Sequence, residues 1–345
     1  MTVEPSIVRE ALTYRPVRPD ELEICTEIWR ESINDYTRRL NQPDLQAETA
    51  PLLRLYTHLQ ATDPTRFVVA TRPDDEGMEG ALGSGARDGA DGATATGERI
   101  VAFAAALQRE RLWFLSMCFV RPNVQASGVG RRLLAEVGPR PADGTDPGGR
   151  PVARATATDS AQPISNALYA SVGMVPRVPL LNLIGLPERP EAFGELPSGV
   201  APVPFEVMAR DGHDELAATV DALDRETLGA AHPIDHAYLR AESRHGWLYR
   251  GPDGAALAYG YATEAGRIGP VASLDADLLA PILGHLSSVV TPRGAFATWL
   301  PGAADRAVVA TLQAGFRLEP FPILLCWDRP FADLSRYLPI SPGLL

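Results

Sequence analysis

Apolar and polar positions alternate with two different periods along the chain, and the order of these periods predicts an α/β protein. Short runs rich in Val, Ile, Phe and Trp predict strands. Stretches with apolar positions three and four residues apart predict helices. In the first half the predicted strands are 12–17, 66–71, 99–107, 112–120, 152–157 and 178–185, and the predicted helices are 19–38, 48–60, 128–137 and 160–172.

The second half repeats the closing elements of the first. The segment GMVPRVPLLNLIGL from Gly173 parallels GFRLEPFPILLCWD from Gly315, an offset of 142 residues (315 − 173). The predicted strands there are 205–209, 247–250, 255–263, 268–272 and 295–300, with a helix from 213 and two helices between 272 and 295. Repetition of one supersecondary unit is the simplest interpretation. We therefore predict two tandem domains, 1–190 and 200–345, joined by the Pro-rich linker 187–204.

Residues 72–98 differ in composition from both neighbouring strands. The segment consists mainly of Gly, Ala and acidic residues and has almost no large apolar side chain. Such a segment buries too little surface to offset its ordering entropy. We predict a flexible insertion in a hairpin.

The strand at 112–120 leads into a glycine turn and then a helix. The turn reads Gln125-Ala126-Ser127-Gly128-Val129-Gly130, followed by Arg131-Arg132-Leu133-Leu134. Backbone N–H groups of such a turn, with the first turn of the following helix, favour an anion. Glycines let the backbone approach a diphosphate closely. The third glycine of the dinucleotide fingerprint is missing, because Leu133 stands in its place, and no P-loop Lys follows.

With Val120 and Pro122 upstream, this string resembles the signature of the GNAT acetyltransferase superfamily, in which Gln/Arg-x-x-Gly-x-Gly/Ala holds the diphosphate of acetyl-CoA. The resemblance implies an α/β (α+β mixed sheet) fold in each copy, with a mostly antiparallel, splayed sheet flanked by helices. It also implies acetyl-CoA as co-substrate and no metal. The cofactor-binding residues it implies are Cys118, Phe119, Val120, Gln125, Ala126, Ser127, Gly128, Val129, Gly130, Arg131 and Asn166.

A helix after the predicted fifth strand supports the same resemblance. Asp159 or Ser160 is its expected N-cap, and Ile164, Leu168 and Val172 recur on one helical face. The superfamily has a Tyr four residues before a Gly here, which Tyr169 and Gly173 match. The resemblance implies that Tyr169 protonates the departing thiolate as a general acid; the alternative is a Tyr that only covers a core helix. Many relatives have a cofactor-binding Asn seven residues before this Tyr. That position is Gln162 here, with Asn166 one turn later, and either amide could serve.

The second copy lacks both features. Thr311 occupies the position of Tyr169, at the same offset of 142 (311 − 169). The turn after its corresponding strand reads Ser273-Leu274-Asp275-Ala276-Asp277, which has two carboxylates and no glycine. Like charge would repel a diphosphate. We therefore expect a degenerate copy that binds no coenzyme and is structural or shapes the substrate site.

The general base stays open. Some relatives have a Glu early in the fourth strand, where this chain has Trp113, Phe114 and Leu115. Asp159 is the carboxylate nearest in sequence to the predicted site, but a role as helix N-cap explains it better. Deprotonation through water is the alternative. No Ser or Cys stands with a His at a spacing typical of covalent catalysis.

Composition excludes several classes of protein. The net charge of −11 and a pI near 5.1 argue against nucleic acid as a partner. No apolar run is long enough to span a bilayer and no signal pattern is present, so we expect no membrane partner and a cytoplasmic protein. Three Cys form no disulfide framework, and neither they nor the six His show metal-ligand spacing. We expect a monomer or homodimer.

These observations predict an N-acetyltransferase that transfers the acetyl group of acetyl-CoA to a primary amine by direct attack in a ternary complex. The acceptor is a small-molecule or peptide amine. The alternative is a non-catalytic regulator or scaffold that binds acyl-CoA. The missing base and the degenerate copy favour this alternative. A third interpretation is an unrelated α/β protein whose glycine turn binds another phosphate ligand.

Overall fold

The structure is a computed structural model that describes residues 12–45, 48–73, 94, 97–139 and 152–345. Most of the predicted insertion 72–98 lies outside these residues. The chain divides into two compact units. The first consists of Met1–Leu107 with Leu115–Pro139, and the second of Gln108–Phe114 with Arg140–Leu345.

The first unit is a small antiparallel sheet with helices. Its elements are β1 (Thr13–Pro16), α1 (Leu22–Arg39), α2 (Ala50–Thr62), β2 (Phe67–Pro73), β3 (Glu98–Arg109), β4 (Leu112–Val120) and α3 (Val129–Val137). Its strands lie in the order β1-β2-β3-β4, and β2 pairs antiparallel with both β1 and β3. The tip of the β3–β4 hairpin belongs to the second unit, where Arg111 O accepts a hydrogen bond of 2.8 Å from Ala153 N.

Aromatic side chains form the core of the first unit. Tyr56 of α2 contacts Phe67 of β2 and Phe103 of β3 edge-on, with ring centroids 5.6 and 5.5 Å apart. All three side chains are fully buried. Burial on this scale supplies most of the energy that holds α2 against the sheet. The sheet therefore presents the end of β4 on a rigid support.

The second unit contains the remaining strands in the order β5-β13-β6-β11-β10-β9-β8-β7, with β12 on β6 and β14 on β10. Only the β10–β11 pair among those described in this unit is parallel. Its elements are β5 (Ala153–Asp159), α4 (Pro163–Ser171), β6 (Val175–Gly185), β7 (Ala201–Pro204), α5 (Phe205–Thr227), α6 (Pro233–Ala241), β8 (His245–Arg250), β9 (Ala256–Ala262), β10 (Arg267–Ser273), α7 (Leu279–Val289), β11 (Phe296–Pro301), α8 (Asp305–Gln313), β12 (Arg317–Leu318), β13 (Ile323–Trp327) and β14 (Tyr337–Leu338).

The two sequence copies exchange their closing strands. β13, from the second copy, lies between β5 and β6 and pairs antiparallel with both. β6, from the first copy, continues past β13 and pairs with β11 of the second copy. Each copy thus completes its sheet with a strand from the other. Without β13 the inner edge of β5 would have no hydrogen-bond partner.

The prediction for the start of the second copy needs correction. Residues 205–209, predicted as a strand, begin helix α5, and the strand is Ala201–Pro204. Pro202 and Pro204 fit an edge strand, which has one unpaired side. Phe193 of the predicted linker is 3% exposed and lies in a hydrophobic core with residues of the second copy. None of the described helices is long and apolar enough to cross a membrane.

Candidate active site

The C-terminal end of β4 is the first part of the predicted site. Leu112–Ser116 are buried, whereas Met117, Cys118, Phe119 and Val120 are only half-buried. Val120 O accepts hydrogen bonds from Ser32 Oγ of α1 and from the Gln125 side-chain Nε2, both at 3.0 Å. The side-chain amide of Gln125 therefore ties the glycine turn to the end of β4.

Arg121, which the sequence analysis did not single out, anchors the same strand end. Its backbone N–H donates to Val101 O at 2.9 Å and its Nε donates to Ile100 O at 3.1 Å. Its Nη1 lies 2.6 Å from both carboxylate oxygens of Glu31 on α1. Arg121 thus joins β3, β4 and α1. Only its position directly after a predicted strand could have indicated this role.

The glycine turn has the backbone geometry that an anion site requires. Ala126 and Gly128 both have left-handed backbone, with φ of 62° and 90°. Ser127 Oγ donates to Val124 O at 2.6 Å and closes the turn. Residues 126–128 are exposed, and a Cβ on Gly128 would meet no atom within 4 Å. The corner is open to solvent.

The amides of this turn are available to a ligand. Helix α3 begins at Val129, and its first intrahelical bond runs from Arg132 N to Gly128 O at 3.1 Å. Within the described residues, the N–H groups of 126–131 donate to no protein acceptor. The first N–H groups of a helix have no partner inside it and attract negative charge. This is the arrangement in which helix N-termini bind phosphate.

Two arginines follow the turn, and they differ in their partners. Arg132 lies 2.7 Å from Glu136 and stands over the ring of Tyr14. Arg131 is exposed and forms no ion pair with any residue that the structure describes. Arg131 can therefore add a positive charge for an anion at the N-terminus of α3.

A polar cleft of about 220 Å³ opens in the first unit beside Arg121. Its lining residues come from α1, the neighbouring strands and the segment after β4, and they are Glu31, Arg72, Arg99, Val101, Arg121, Pro122 and Asn123. Arg121 is 8% exposed, and its Nη2 has no hydrogen-bond partner among the described residues. A buried guanidinium N–H without an acceptor is costly. An anionic group in the cleft would satisfy it.

Tyr169 lies on α4 in the second unit. Its side chain is 4% exposed, whereas Ile164 on the same helix is 51% exposed. The predicted apolar face is therefore wrong: Ile164 points to solvent and Tyr169 is on the buried side. The predicted cap also needs correction, since Gln162 caps the helix and Asp159 Oδ1 accepts from Ala161 N at 2.8 Å.

Asn166 ties together the turn between β5 and α4. Its Nδ2 donates to Asp159 O at 2.9 Å and to Gln162 O at 2.7 Å. Its Oδ1 is buried and has no partner among the described residues. Both amide hydrogens are in use, so Oδ1 is the atom that Asn166 has left for a ligand. A donor such as an amide N–H would satisfy it.

The matching turn of the second copy is filled by its own side chains. Asp275 Oδ1 accepts a hydrogen bond of 2.9 Å from Asp277 N, and Ser273 Oγ donates to Asp275 O at 2.7 Å. Asp277 also pairs with Arg306. Thr311, at the position of Tyr169, is 1% exposed and donates its hydroxyl to Ala307 O at 2.7 Å. These contacts leave an anion no capping N–H at Asp277.

Comparison with known proteins identifies the fold. A protein of Pyrococcus horikoshii, described as an acetyltransferase, aligns with this chain over 100% of this chain's length and 99% of its own length. The TM-score is 0.64 and the sequence identity is 12%. A GCN5-related N-acetyltransferase of Sphaerobacter thermophilus aligns over 94% and 98%, with a TM-score of 0.58 and 16% identity. The glucosamine N-acetyltransferase region of a fungal multi-domain β-N-acetylglucosaminidase aligns over 94% of this chain and 39% of that one, with a TM-score of 0.56 and 13% identity.

No protein-family model matches the sequence, and no curated sequence is significantly similar to it. The structural likenesses, at identities of 12% to 16%, extend over nearly the whole chain. The protein therefore has the fold of the GCN5-related N-acetyltransferases. The fold predicted from the glycine turn and the Tyr169 helix is confirmed.

Proposed function

We propose that the protein is an N-acetyltransferase that uses acetyl-CoA as co-substrate and binds it at the glycine turn of the first copy. The observation that carries this proposal is the exposed left-handed turn at Gly128, whose neighbouring amides have no acceptor within the described residues. The fold agrees with this function, and the second copy offers no equivalent turn. The residues present fit a diphosphate.

The amides of 126–131 hold the diphosphate in this proposal, and Arg131 supplements them with charge. Acetyl-CoA, when bound, supplies an activated acetyl thioester. The half-buried end of β4, at Cys118, Phe119 and Val120, lines the path of the pantetheine arm. Backbone N–H groups there polarise the thioester carbonyl. Asn166 Oδ1 accepts a hydrogen bond from the coenzyme.

Tyr169 is the proposed general acid. Its Oη donates a proton to the thiolate that leaves when the acceptor nitrogen forms its bond to the acetyl carbon, and the nitrogen loses its own proton to water. Asp159 is not assigned as the base, because its carboxylate already caps Ala161 N.

The cleft beside Arg121 supports one class of acceptor. Its unsatisfied Nη2, with Arg72 and Arg99 in the lining, favours a negatively charged group. An amine that also carries a carboxylate could accept a charge-assisted hydrogen bond from Nη2 of Arg121. We propose such amines, including amino acids, as acceptors in preference to simple alkylamines.

Calorimetric titration with acetyl-CoA, followed by thiol release across a panel of amines, tests the function. The panel includes matched pairs that differ only in the carboxylate, such as an amino acid and its amide. We expect acetyl-CoA binding, acceptor-dependent thiol release and faster release with the carboxylate member. Binding without acceptor-dependent release would instead indicate a non-catalytic coenzyme-binding protein. Absence of binding would contradict the coenzyme site.

A further inference from the structure

A second cluster of chemically active side chains lies in the second unit, apart from every residue used above. Asp224 of α5, His232 before α6 and His236 of α6 are 0%, 1% and 2% exposed. Each directs one donor atom at the others, and these three atoms all lie within 4.8 Å of one another. Their convergence at a buried point is the feature to be explained.

A single carboxylate oxygen is the centre of this cluster. Asp224 Oδ2 lies 2.8 Å from His236 Nε2 and 3.3 Å from His232 Nε2. The two imidazole rings lie beside each other, with centroids 4.4 Å apart. Two imidazole nitrogens and one carboxylate oxygen are a donor set typical of divalent transition metals. Tyr337 Oη, 3.4 Å from His232 Nε2, is a further oxygen donor at the same place.

Outer hydrogen bonds fix the three side chains in this orientation. Tyr259 Oη donates to Asp224 Oδ1 at 2.5 Å, and Tyr261 Oη lies 3.0 Å from His236 Nδ1. Metal-binding His residues are held in this way, with the nitrogen that does not bind the metal engaged by a polar group. Both tyrosines are fully buried. The cluster therefore has an ordered outer shell as well as three donors.

His232 is the member whose hydrogen bonding is incomplete. Its Nδ1 is buried and has no hydrogen-bond partner among the described residues, although it faces Asp235 Oδ2 at 3.7 Å. Asp235 is itself bound by Arg109, whose Nε and Nη2 lie 2.7 and 2.8 Å from its carboxylate oxygens. A carboxylate behind a metal-binding His is a recurrent outer-shell partner.

The charges of the cluster favour a cation. The carboxylates of Asp224 and Asp235 carry two negative charges, and the guanidinium of Arg109 compensates one of them. The second negative charge favours a cation beside it. That cation is either a proton, since burial lowers the pKa of His232 but Asp224 outweighs this effect and raises it, or a metal ion. A divalent cation on the two Nε2 atoms and Asp224 Oδ2 would supply positive charge at that point.

We infer that Asp224, His232 and His236 bind a divalent transition metal of the zinc type, at a structural site of the second copy. On binding, each imidazole offers the lone pair of Nε2 and keeps its one proton on Nδ1. The Nδ1–H of His236 then donates a hydrogen bond to Tyr261 Oη, and the Nδ1–H of His232 faces Asp235 Oδ2. Metal uptake therefore releases protons from any imidazolium present. This site shares no residue with the coenzyme site proposed above.

Metal content and cobalt absorption of the full-length protein test the site. We expect protein from zinc-supplemented cells to contain one equivalent of Zn²⁺ by plasma mass spectrometry. After chelation it should take up one equivalent of Co²⁺, with visible absorption bands. His236→Gln removes one donor and should abolish both signals. His245→Gln, which changes an exposed His of β8, is the matched control and should leave both unchanged.

Tyr261→Phe keeps the ring and removes only the hydroxyl that holds His236, and it provides a second test if His236→Gln does not fold. We expect the apparent affinity for Co²⁺ to fall by about tenfold to a hundredfold. Wild-type protein that takes up no stoichiometric Co²⁺ or Zn²⁺ would overturn the site. So would uptake that is unchanged in His236→Gln and Tyr261→Phe. Either result would leave a hydrogen-bonded network of protonated His232 with the two carboxylates as the explanation of the cluster.

Discussion

Replacing Gly128 by Glu tests the coenzyme site with a change whose structural cost can be worked out. Gly128 has φ of 90° and ψ of 0°, and a residue with a side chain costs about 1–2 kcal/mol in such left-handed backbone. A Cβ there meets no atom within 4 Å, so no clash adds to this cost. A carboxylate at the N-terminus of α3 returns about 0.3–1 kcal/mol through the helix dipole. The variant should therefore fold.

The same carboxylate occupies the space proposed for the diphosphate. Two like unit charges about 4 Å apart repel by about 4 kcal/mol at an effective dielectric constant of about 20. A difference of this size weakens binding by about a thousandfold. We therefore expect the dissociation constant for coenzyme A, measured by calorimetric titration, to rise by about three orders of magnitude in Gly128→Glu.

Two controls separate charge from backbone strain. Gly128→Ala carries the strain and a single methyl group, and should weaken binding much less than Gly128→Glu. Gly254→Glu carries the same charge at a glycine with φ of 80° and no atom within 4 Å of its Cβ, in a hairpin turn far along the chain. It should lose similar stability and bind coenzyme A normally. Normal binding by Gly128→Glu itself would refute the assignment of the turn.

Three further predictions concern catalysis, a buried ion pair and acid stability. Tyr169→Phe should lower kcat by about 10²–10⁴-fold with little change in the KM for acetyl-CoA, in a thiol-release assay; an equal loss in both would contradict the acid role. Arg109→Met leaves the Asp235 carboxylate buried without its ion-pair partner and should cost about 3–5 kcal/mol in denaturant unfolding, whereas Arg225→Met breaks an exposed pair and should cost less than about 1 kcal/mol. Burial raises the pKa of Glu21, but hydrogen bonds from Arg15 and from the backbone N–H of Arg18 outweigh it and hold that pKa below its ordinary value of 4.5. Ionised Glu21 therefore stabilises the fold above pH 4.5, and this stabilisation is lost as the pH falls through the folded pKa. In Glu21→Gln the free energy of unfolding should fall less steeply between about pH 5 and about pH 3. An unchanged dependence on pH would show that the Arg15–Glu21 pair adds no stability.

Local features with strong periodicity were predictable from the sequence. The strand at 112–120 and the helix ending at Val137 have the predicted bounds, because an apolar run, a glycine turn and an amphipathic helix follow one another there. The same periodicity failed for 205–209, where alternating side chains fit either a strand or a helix start. It also misplaced the buried face of α4, because the packing of Tyr169 and not the count of apolar residues decides that face.

Features that join distant parts of the chain were not predictable. Exchange of β6 and β13 depends on which strand edge each meets in space, which the sequence of neither strand specifies. The His232 and His236 pair stands four residues apart, a spacing that sequence analysis overlooked, and its third member Asp224 belongs to another helix. Arg121 likewise gains its role from contacts with α1 and β3. Only tertiary packing brings these groups together.

A crystal structure of the protein with coenzyme A bound would show directly whether the glycine turn holds the diphosphate. We expect diphosphate oxygens within hydrogen-bond distance of the backbone N–H groups of 126–131, with the turn at Ser273–Asp277 empty of ligand. Coenzyme bound at that second turn, or in any place where the amides beside Gly128 contact none of its phosphates, would contradict it.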